Sequence, residues 1–423
     1  MSNCRLSLPS ELSNSHKLSE YNIYLKYGKG LVYNTITQAI AEFNEKEIKS
    51  DDLPFLLENG FVVFKNDNEL KRLNSEYENR EIFSKNFHLI IALTLDCQFR
   101  CVYCYENHPK KYMNQEIKSQ VINLVKREAV RGKNISIVWY GGEPLLDFNS
   151  IASLTKEFIE ICNKYNVTYC ASMISNGYLF NNNIIDSLKT LHIDSVQITL
   201  DGMNEIHEKR RPLMNKKKSF DRIIKNIIDI YNSKYTKIHL RINVDKSNIQ
   251  SAYELIEYLS IKKLYDIDIN LGLMKKFGCD HNGFKLEKTL FSMKEFSDEF
   301  LKFRDKLVEF GFKKATEKMI PEYKINSCTM DAPNSYVIDP DGYVYKCISY
   351  VGQKEHSIGT VGDGFNKYAH LLYNPFKFDI CKKCTFFPIC KGGCLINNID
   401  GVKECNIWRF ITEDLILREI KEI

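Results

Sequence analysis

The rhythm of hydrophobic and polar positions changes near residue 86. Residues 1–20 are polar and are expected to form a loose arm. Residues 21–34 alternate around Lys29 and Gly30, which predicts a hairpin. Short helices are expected over 35–43 and 51–57, a strand over 60–64 and a helix over 69–81. From residue 87, apolar runs alternate with helical periodicity. The predicted strands are 87–95, 135–140, 168–174, 195–200, 237–244 and 267–273. Helices are predicted between them at 115–131, 148–164, 183–190, 219–231 and 251–260, with a further amphipathic helix at 294–310. Near-continuous apolar strands separated by helices indicate an α/β fold with a parallel sheet covered by helices. In such folds the chemistry sits at the C-terminal ends of the strands. Three domains are expected, at 1–85, 86–310 and 311–423. The first reads as a compact winged-helix-like module or as a cap packed on the main domain.

Composition narrows the class. At 44% hydrophobic residues over 423 positions the chain can bury a large core, which excludes wholesale disorder. The net charge of +5 is mild and does not point to nucleic acid. No apolar run approaches the roughly 18 residues of a membrane span. The first residues lack the apolar segment of a signal peptide, so a cytoplasmic protein with no membrane partner is expected. Fourteen cysteines stand out against that background. In a reducing compartment they are metal ligands or reactive thiols rather than disulfides. Three lie between 97 and 104 and seven lie after 327. Of the others, Cys162 and Cys170 fall on a predicted helix and strand and read as core thiols. Cys4 lies in the arm, and Cys279 lies beyond the last predicted strand of the sheet.

Cys97, Cys101 and Cys104 form a CxxxCxxC motif directly after the first predicted strand of the sheet. Three thiolates can hold three irons of a four-iron cluster and leave the fourth open. Zinc is the alternative, with His108 as a further ligand. Gly141, Gly142, Glu143 and Pro144 follow the second strand, where two glycines allow close backbone approach and Glu143 offers an acceptor for an ammonium. Ser175 and Asn176 end the third strand, Thr199 and Asp201 the fourth, and Arg241 lies on the fifth. Arg210, Arg211 and Lys216–Lys218 read as a solvated loop or as a contact for an acidic peptide. The hairpin edge at 21–34 is a candidate for strand addition by a peptide.

Placed one strand after CxxxCxxC, the GGEP turn resembles the S-adenosylmethionine site of the radical SAM superfamily, and the resemblance covers roughly residues 87–280. It implies a partial (β/α)6 TIM-like barrel. It also implies an open iron that chelates S-adenosylmethionine and a 5′-deoxyadenosyl radical that abstracts hydrogen from an unactivated C–H bond. Tyr103 would lie near the adenine, and Arg241 would pair with the carboxylate of S-adenosylmethionine. A low-potential donor, flavodoxin or ferredoxin, would supply the electron. In the tail, Cys328 is followed by thirteen residues, Gly342, four residues and Cys347. Cys381-x2-Cys384-x5-Cys390-x3-Cys394 comes next, and Cys405 follows after ten more residues. This order resembles the SPASM extension of radical SAM enzymes. By that resemblance Cys381, Cys384, Cys390 and Cys405 hold one auxiliary [4Fe-4S] cluster, and Cys328, Cys347 and Cys394 hold part of another. The position expected for its fourth cysteine falls in residues 321–326, PEYKIN, which contain no thiol.

Enzymes with this extension mostly act on peptides or proteins. The leading expectation is a maturase that installs a thioether or carbon–carbon crosslink in a ribosomally made precursor peptide, whose leader binds residues 1–85. The alternative is an anaerobic sulfatase-maturating enzyme that makes formylglycine. Those enzymes carry an aspartate after the cysteine matching Cys347, where this chain has Ile348. A third class, an iron–sulfur or zinc regulator that binds nucleic acid, is disfavoured by the mild charge and the intact GGEP turn. The sequence singles out no catalytic acid or base.

Overall fold

The computed structural model describes residues 6–25, 30–43, 48–275, 289–317, 319–396 and 405–421. The hairpin tip, Cys4 and Cys279 lie outside these residues. By internal packing the chain forms two compact units. One comprises residues 1–83, 318–332 and 370–423, and the other comprises 84–317 and 333–369. The first unit therefore draws on both ends of the chain.

In the first unit, β1 (His16–Leu18) is followed by β2 (Asn22–Leu25), β3 (Gly30–Asn34), β4 (Ile40–Phe43), α1 (Leu53–Glu58), β5 (Val62–Phe64) and α2 (Glu69–Phe83). Strands β2, β3 and β4 form an antiparallel sheet in that order, and β1 pairs antiparallel with β5. The arm expected to be loose is thus held in part, since residues 16–18 are paired and Leu6 is buried. The helix expected over 35–43 is replaced by a turn and β4. Asn34 Oδ1 accepts hydrogen bonds from the N–H groups of Ile36 and Thr37, each at 3.0 Å. Gln38 adopts φ 64°, so the chain reverses and Ile40–Phe43 pairs with Gly30–Tyr33. A side chain that binds the backbone ahead of it competes with helix formation. The hairpin packs against the end of the chain. Leu25, Leu31 and Tyr33 bury against Ile416, and Tyr21, Leu73 and Tyr77 against Phe376 and Phe387.

The second unit carries the alternating pattern. Its elements are β6 (Asn86–Ala92), α3 (Gln115–Val130), β7 (Asn134–Tyr140), α4 (Phe148–Lys164), β8 (Tyr169–Ser175), α5 (Asn182–Thr190), β9 (Ile193–Thr199), α6 (Asn204–Arg210), α7 (Phe220–Ser233), β10 (Lys237–Val244), α8 (Ile249–Ile261), β11 (Asp268–Leu273) and α9 (Met293–Glu309). Each predicted strand and helix of this region is present within a few residues. Strands β6 to β11 lie side by side in chain order, all parallel. The sheet is extended beyond β6 by β12 (Ser335–Ile338), parallel to β6, and β13 (Val344–Tyr345), antiparallel to β12. The α/β fold is therefore an eight-stranded, mostly parallel sheet. A small hairpin, β14 (Gly359–Thr360) and β15 (Gly364–Phe365), follows. The tail contributes α10 (Asp379–Lys382), α11 (Phe387–Cys390) and α12 (Trp408–Lys421) to the first unit. No described helix is long and apolar enough to cross a membrane.

Asn34 is fully buried. Besides the two turn contacts, its Nδ2 donates to Gly60 O at 2.7 Å and Asn22 Oδ1 at 2.9 Å. Replacement by Ala leaves those groups unpaired, at about 1–3 kcal/mol for each one that stays dry. Urea unfolding of the Asn34→Ala protein is expected to show a loss of about 3 kcal/mol in the first unit's transition.

Candidate active site

The site begins where β6 ends. Its chain continues through Thr94, Leu95 and Asp96 into the cysteine segment, and β7 ends beside it in Gly141 and Gly142. Gly142 N donates to Thr94 O at 3.0 Å, and Glu143 N to Asp96 O at 2.9 Å. A Cβ on Gly141 would sit 2.2 Å from Thr94 O, and one on Gly142 would sit 2.2 Å from Asp96 O. The two glycines therefore let one strand end approach another, in addition to lining the cavity described below.

Glu143 locks this contact. Its side chain is fully buried. Oε1 accepts from Ser175 Oγ at 2.8 Å and Leu145 N at 3.1 Å, and Oε2 from Asn176 N at 2.8 Å. Burial pushes the carboxyl up to about 7, against the pull of these donors and Arg211. Pro144 opens a buried 3-10 turn, Pro144–Asp147, directly after it.

These strand ends surround a cavity of about 470 Å³. It is lined by Cys97, Cys101, Tyr103, Cys104, Gly141, Gly142, Ser175, Asn176, Thr199 and Arg241, so ten of the residues proposed from sequence meet there. Glu143, Pro144 and Asp201 stand behind the wall. Asp201 is fully buried, accepts from Tyr103 OH and from Asn243 N at 3.2 Å, and forms an ion pair with Arg210 Nε at 3.6 Å. It fixes Tyr103 and Asn243, which do reach the cavity. Arg241 donates from Nε to Asn243 Oδ1 at 2.8 Å. The room for its guanidinium comes from Gly272 on the neighbouring strand, where a Cβ would sit 2.6 Å from it.

The cysteines fit a cluster. Cys104 N donates to Cys101 O at 3.0 Å, a turn that brings these two thiols together. Cys97 Sγ receives the N–H of Phe99 at 3.4 Å and Asn176 Nδ2 at 3.8 Å. Burial raises all three thiols, Cys97 up to about 12, and each is further opposed by a neighbouring cysteine or carboxylate. Such thiols ionise when a metal takes the proton's place. Among the described residues no three His, Cys, Asp or Glu side chains converge on one metal-ion position. A four-iron cluster does not need convergence, because each thiolate binds a different iron. His108, the further ligand of the zinc alternative, lines the cavity with Nδ1 3.3 Å from Leu95 O.

In the tail, burial raises the Cys381 thiol to about 11, and Cys390, Cys384 and Cys405 oppose its ionisation in turn. Cys390 is likewise opposed by Cys384 and Cys405. These four thiols are thus neighbours within the first unit. Cys328 and Cys394 belong to the same unit, and Cys347 to the second. Ile348 and Ser349, which follow Cys347, line the cavity.

Several lining residues escaped the sequence reading. Glu106 accepts from Tyr140 OH at 2.5 Å, and Tyr105 OH donates to Tyr140 OH at 2.5 Å. Burial lifts the Glu106 carboxyl to about 7. Arg210 and Arg211 are a correction, since neither is solvated. Arg210 pairs with Asp245 at 2.9 Å, and Arg211 lines the cavity, while 216–218 are exposed. The signal available for Glu106 was its place two residues after Cys104, and for Gly272 a glycine inside an apolar strand.

Comparison with known proteins gives the class. Residues 91–259 match the family model of the Radical SAM superfamily. The cysteine-type anaerobic sulfatase-maturating enzyme of Clostridium novyi is 27% identical over 73% of this chain and 87% of its own length. The radical SAM cyclopropyl synthase TigE of Paramaledivibacter caminithermalis is 22% identical over 94% of this chain and 88% of its own. The crystal structure of Streptococcus suis SuiB bound to precursor peptide SuiA superposes with a TM-score of 0.54, at 14% identity, over 91% of this chain and 97% of that one. Residues 91–259 are thus a Radical SAM domain, and the chain is an enzyme whose cofactors are a [4Fe-4S] cluster and S-adenosylmethionine.

Gly142→Ala places a methyl group 2.2 Å from Asp96 O and 2.5 Å from Leu95 O, and backbone must move. That shift displaces the segment leading to Cys97. A loss of 5′-deoxyadenosine formation on the order of 100-fold is expected, measured by chromatography of single turnovers.

Proposed function

We propose that this enzyme oxidatively crosslinks a ribosomally made peptide, through a thioether or a carbon–carbon bond. In this reading Cys97, Cys101 and Cys104 hold the cluster that binds S-adenosylmethionine. Gly141, Gly142, Ser175, Asn176, Thr199 and Arg241 contact S-adenosylmethionine, Tyr103 borders its adenine, and Glu143, Pro144 and Asp201 hold those contacts in place. The six parallel strands in chain order support a partial (β/α)6 TIM-like barrel. Bound there, cluster and S-adenosylmethionine would supply a hydrogen-abstracting radical, with further iron–sulfur centres taking up the electron left on the substrate. The mutual opposition of Cys381, Cys384, Cys390 and Cys405 supports one such auxiliary centre in a SPASM-type tail. By the same resemblance Cys328, Cys347 and Cys394 would hold part of a second.

The observation that carries the choice of reaction is Ile348. It lines the cavity at the position where the resemblance to sulfatase maturases calls for an aspartate, and an isoleucine cannot accept a proton. The peptide partner is supported by SuiB, described with its precursor peptide, and a carbon–carbon bond-forming reaction by TigE, named a cyclopropyl synthase, which matches nearly the whole chain. The leader would bind the mixed α/β segment 1–85, whose β2–β4 sheet offers edge strands β2 and β4 as candidates for strand addition. A flavodoxin or ferredoxin would deliver the electron. Cysteines that hold iron suit a reducing, cytoplasmic setting.

Formylglycine formation on a sulfatase is the second reading. Glu106, a carboxylate in the same cavity, and the relative from Clostridium novyi favour it. Enzyme, reductant and S-adenosylmethionine are incubated with any short cysteine-bearing peptide found to be encoded in the neighbouring small open reading frames and, separately, with a sulfatase-motif peptide. The neighbouring peptide is expected to lose two hydrogens in mass and to resist thiol alkylation. Conversion of the sulfatase peptide alone, to an aldehyde that reacts with hydrazine, would overturn the crosslinking reading. Replacing Cys97, Cys101 and Cys104 together by Ala should abolish 5′-deoxyadenosine formation and remove roughly 4 of 12 irons per chain, by metal analysis.

A further inference from the structure

The cysteine segment is paired along its length with the segment that follows α6. Phe99 faces Leu213 in an antiparallel bridge. Arg100 N donates to Pro212 O at 2.8 Å, Val102 N to Arg210 O at 2.9 Å and Met214 N to Gln98 O at 2.9 Å. This register sets Arg211 opposite Cys101. The hydrogen bonds belong to the flanking pairs, so Cys101 and Arg211 occupy a position where opposed Cα atoms come to about 4.5 Å and side chains lie closest. Both line the cavity.

Arg211 is buried. Its Nη1 donates to Tyr103 OH at 2.7 Å, and Nε has no acceptor. Arg210 beside it is paired with Asp245 and Asp201, whereas no such ion pair to Arg211 is found among the described residues. A guanidinium does not shed its proton, and a buried cation without a negative partner is strongly destabilising. The site therefore holds a fixed positive charge facing a thiol, with no direct ion pair among the described residues and with the buried carboxyls of Asp201 and Glu143 acting on it only at longer range. Other charges near Cys101 are Asp201, tied to Arg210 and Tyr103, and Arg100, whose Nη1 donates to Cys97 O at 2.5 Å and Phe99 O at 2.7 Å.

We propose that Arg211 is a positioning residue for the S-adenosylmethionine-binding cluster: its fixed charge, set opposite Cys101, offsets the negative charge of the thiolate ligands and raises the reduction potential. A cation in a low-dielectric wall favours the state that carries one more electron, and net charge around a cluster is among the levers on its potential. The inference rests on the assignment of Cys97, Cys101 and Cys104 as ligands.

The test is a redox titration of the reconstituted full chain by electron paramagnetic resonance, following the signal that changes when S-adenosylmethionine is added. Arg211→Gln is expected to cut the reduced-to-oxidised ratio at a fixed potential by about tenfold, a fall of about 59 mV for a one-electron couple. Arg211→Lys should retain most of the wild-type midpoint. Tyr103→Phe keeps the charge but frees its tether, and a smaller fall in the same direction is expected. An unchanged midpoint in both R211Q and Y103F overturns the proposal, as does an R211K fall as large as that of R211Q. If R211Q does not fold, R211K and Y103F decide by the same comparison: a Y103F fall with R211K near wild type supports the proposal. The same responsive signal in the Cys97, Cys101, Cys104 triple Ala protein would overturn the ligand assignment itself.

Discussion

The buried carboxylate of Glu143 is the constraint around which the site is built. A carboxyl without water is costly unless donors surround it. Here the donors come from two neighbouring stretches, the turn after β7 and the end of β8, while the Glu143 N–H binds the segment after β6. Three strand ends are thereby fixed in one arrangement. The glycines before Glu143 are part of the same constraint, because any side chain there would push the segment leading to Cys97 away. The cysteine loop is thus held by buried hydrogen bonds to rigid strands rather than by its own conformation.

A second layer of fixed charge and hydrogen bonding surrounds the cavity. Strands β9 and β10 contribute Gln197, Thr199, Arg241 and Asn243, a polar and cationic set suited to a carboxylate-bearing ligand. The segment after Cys104, with Tyr140 and residues 348–349, contributes Tyr105, Glu106, Ile348 and Ser349. Asp201 serves the first set from behind, through Tyr103 and Asn243. One cavity thus combines cationic side chains with a carboxylate and hydroxyls.

The first unit joins the two ends of the chain in shared cores. Tyr21, Leu73 and Tyr77 bury against Phe376 and Phe387, next to Cys381 and Cys384, and Tyr33 OH donates to Pro321 O at 2.7 Å. The N-terminal strands and the cysteine-bearing tail therefore stabilise one another.

The sequence by itself determined the parallel sheet and its helices, because β6–β11 and α3–α9 bury apolar faces whose period is visible in any window of the chain. It also determined the CxxxCxxC and GGEP positions, because spacing along one strand end is local. The helix expected over 35–43 failed because Asn34 binds the backbone ahead of it and the chain turns back to pair with β3. The tertiary structure alone decided that Arg211 lines the cavity, since its burial comes from pairing with a segment more than a hundred residues earlier. It likewise decided that Glu106 and Ile348 share the cavity, that Gly272 makes room for Arg241, and that residues 1–83 and 370–423 pack together. In each case the deciding contact joins residues far apart in the chain, and no local pattern of polarity encodes which distant group will stand opposite.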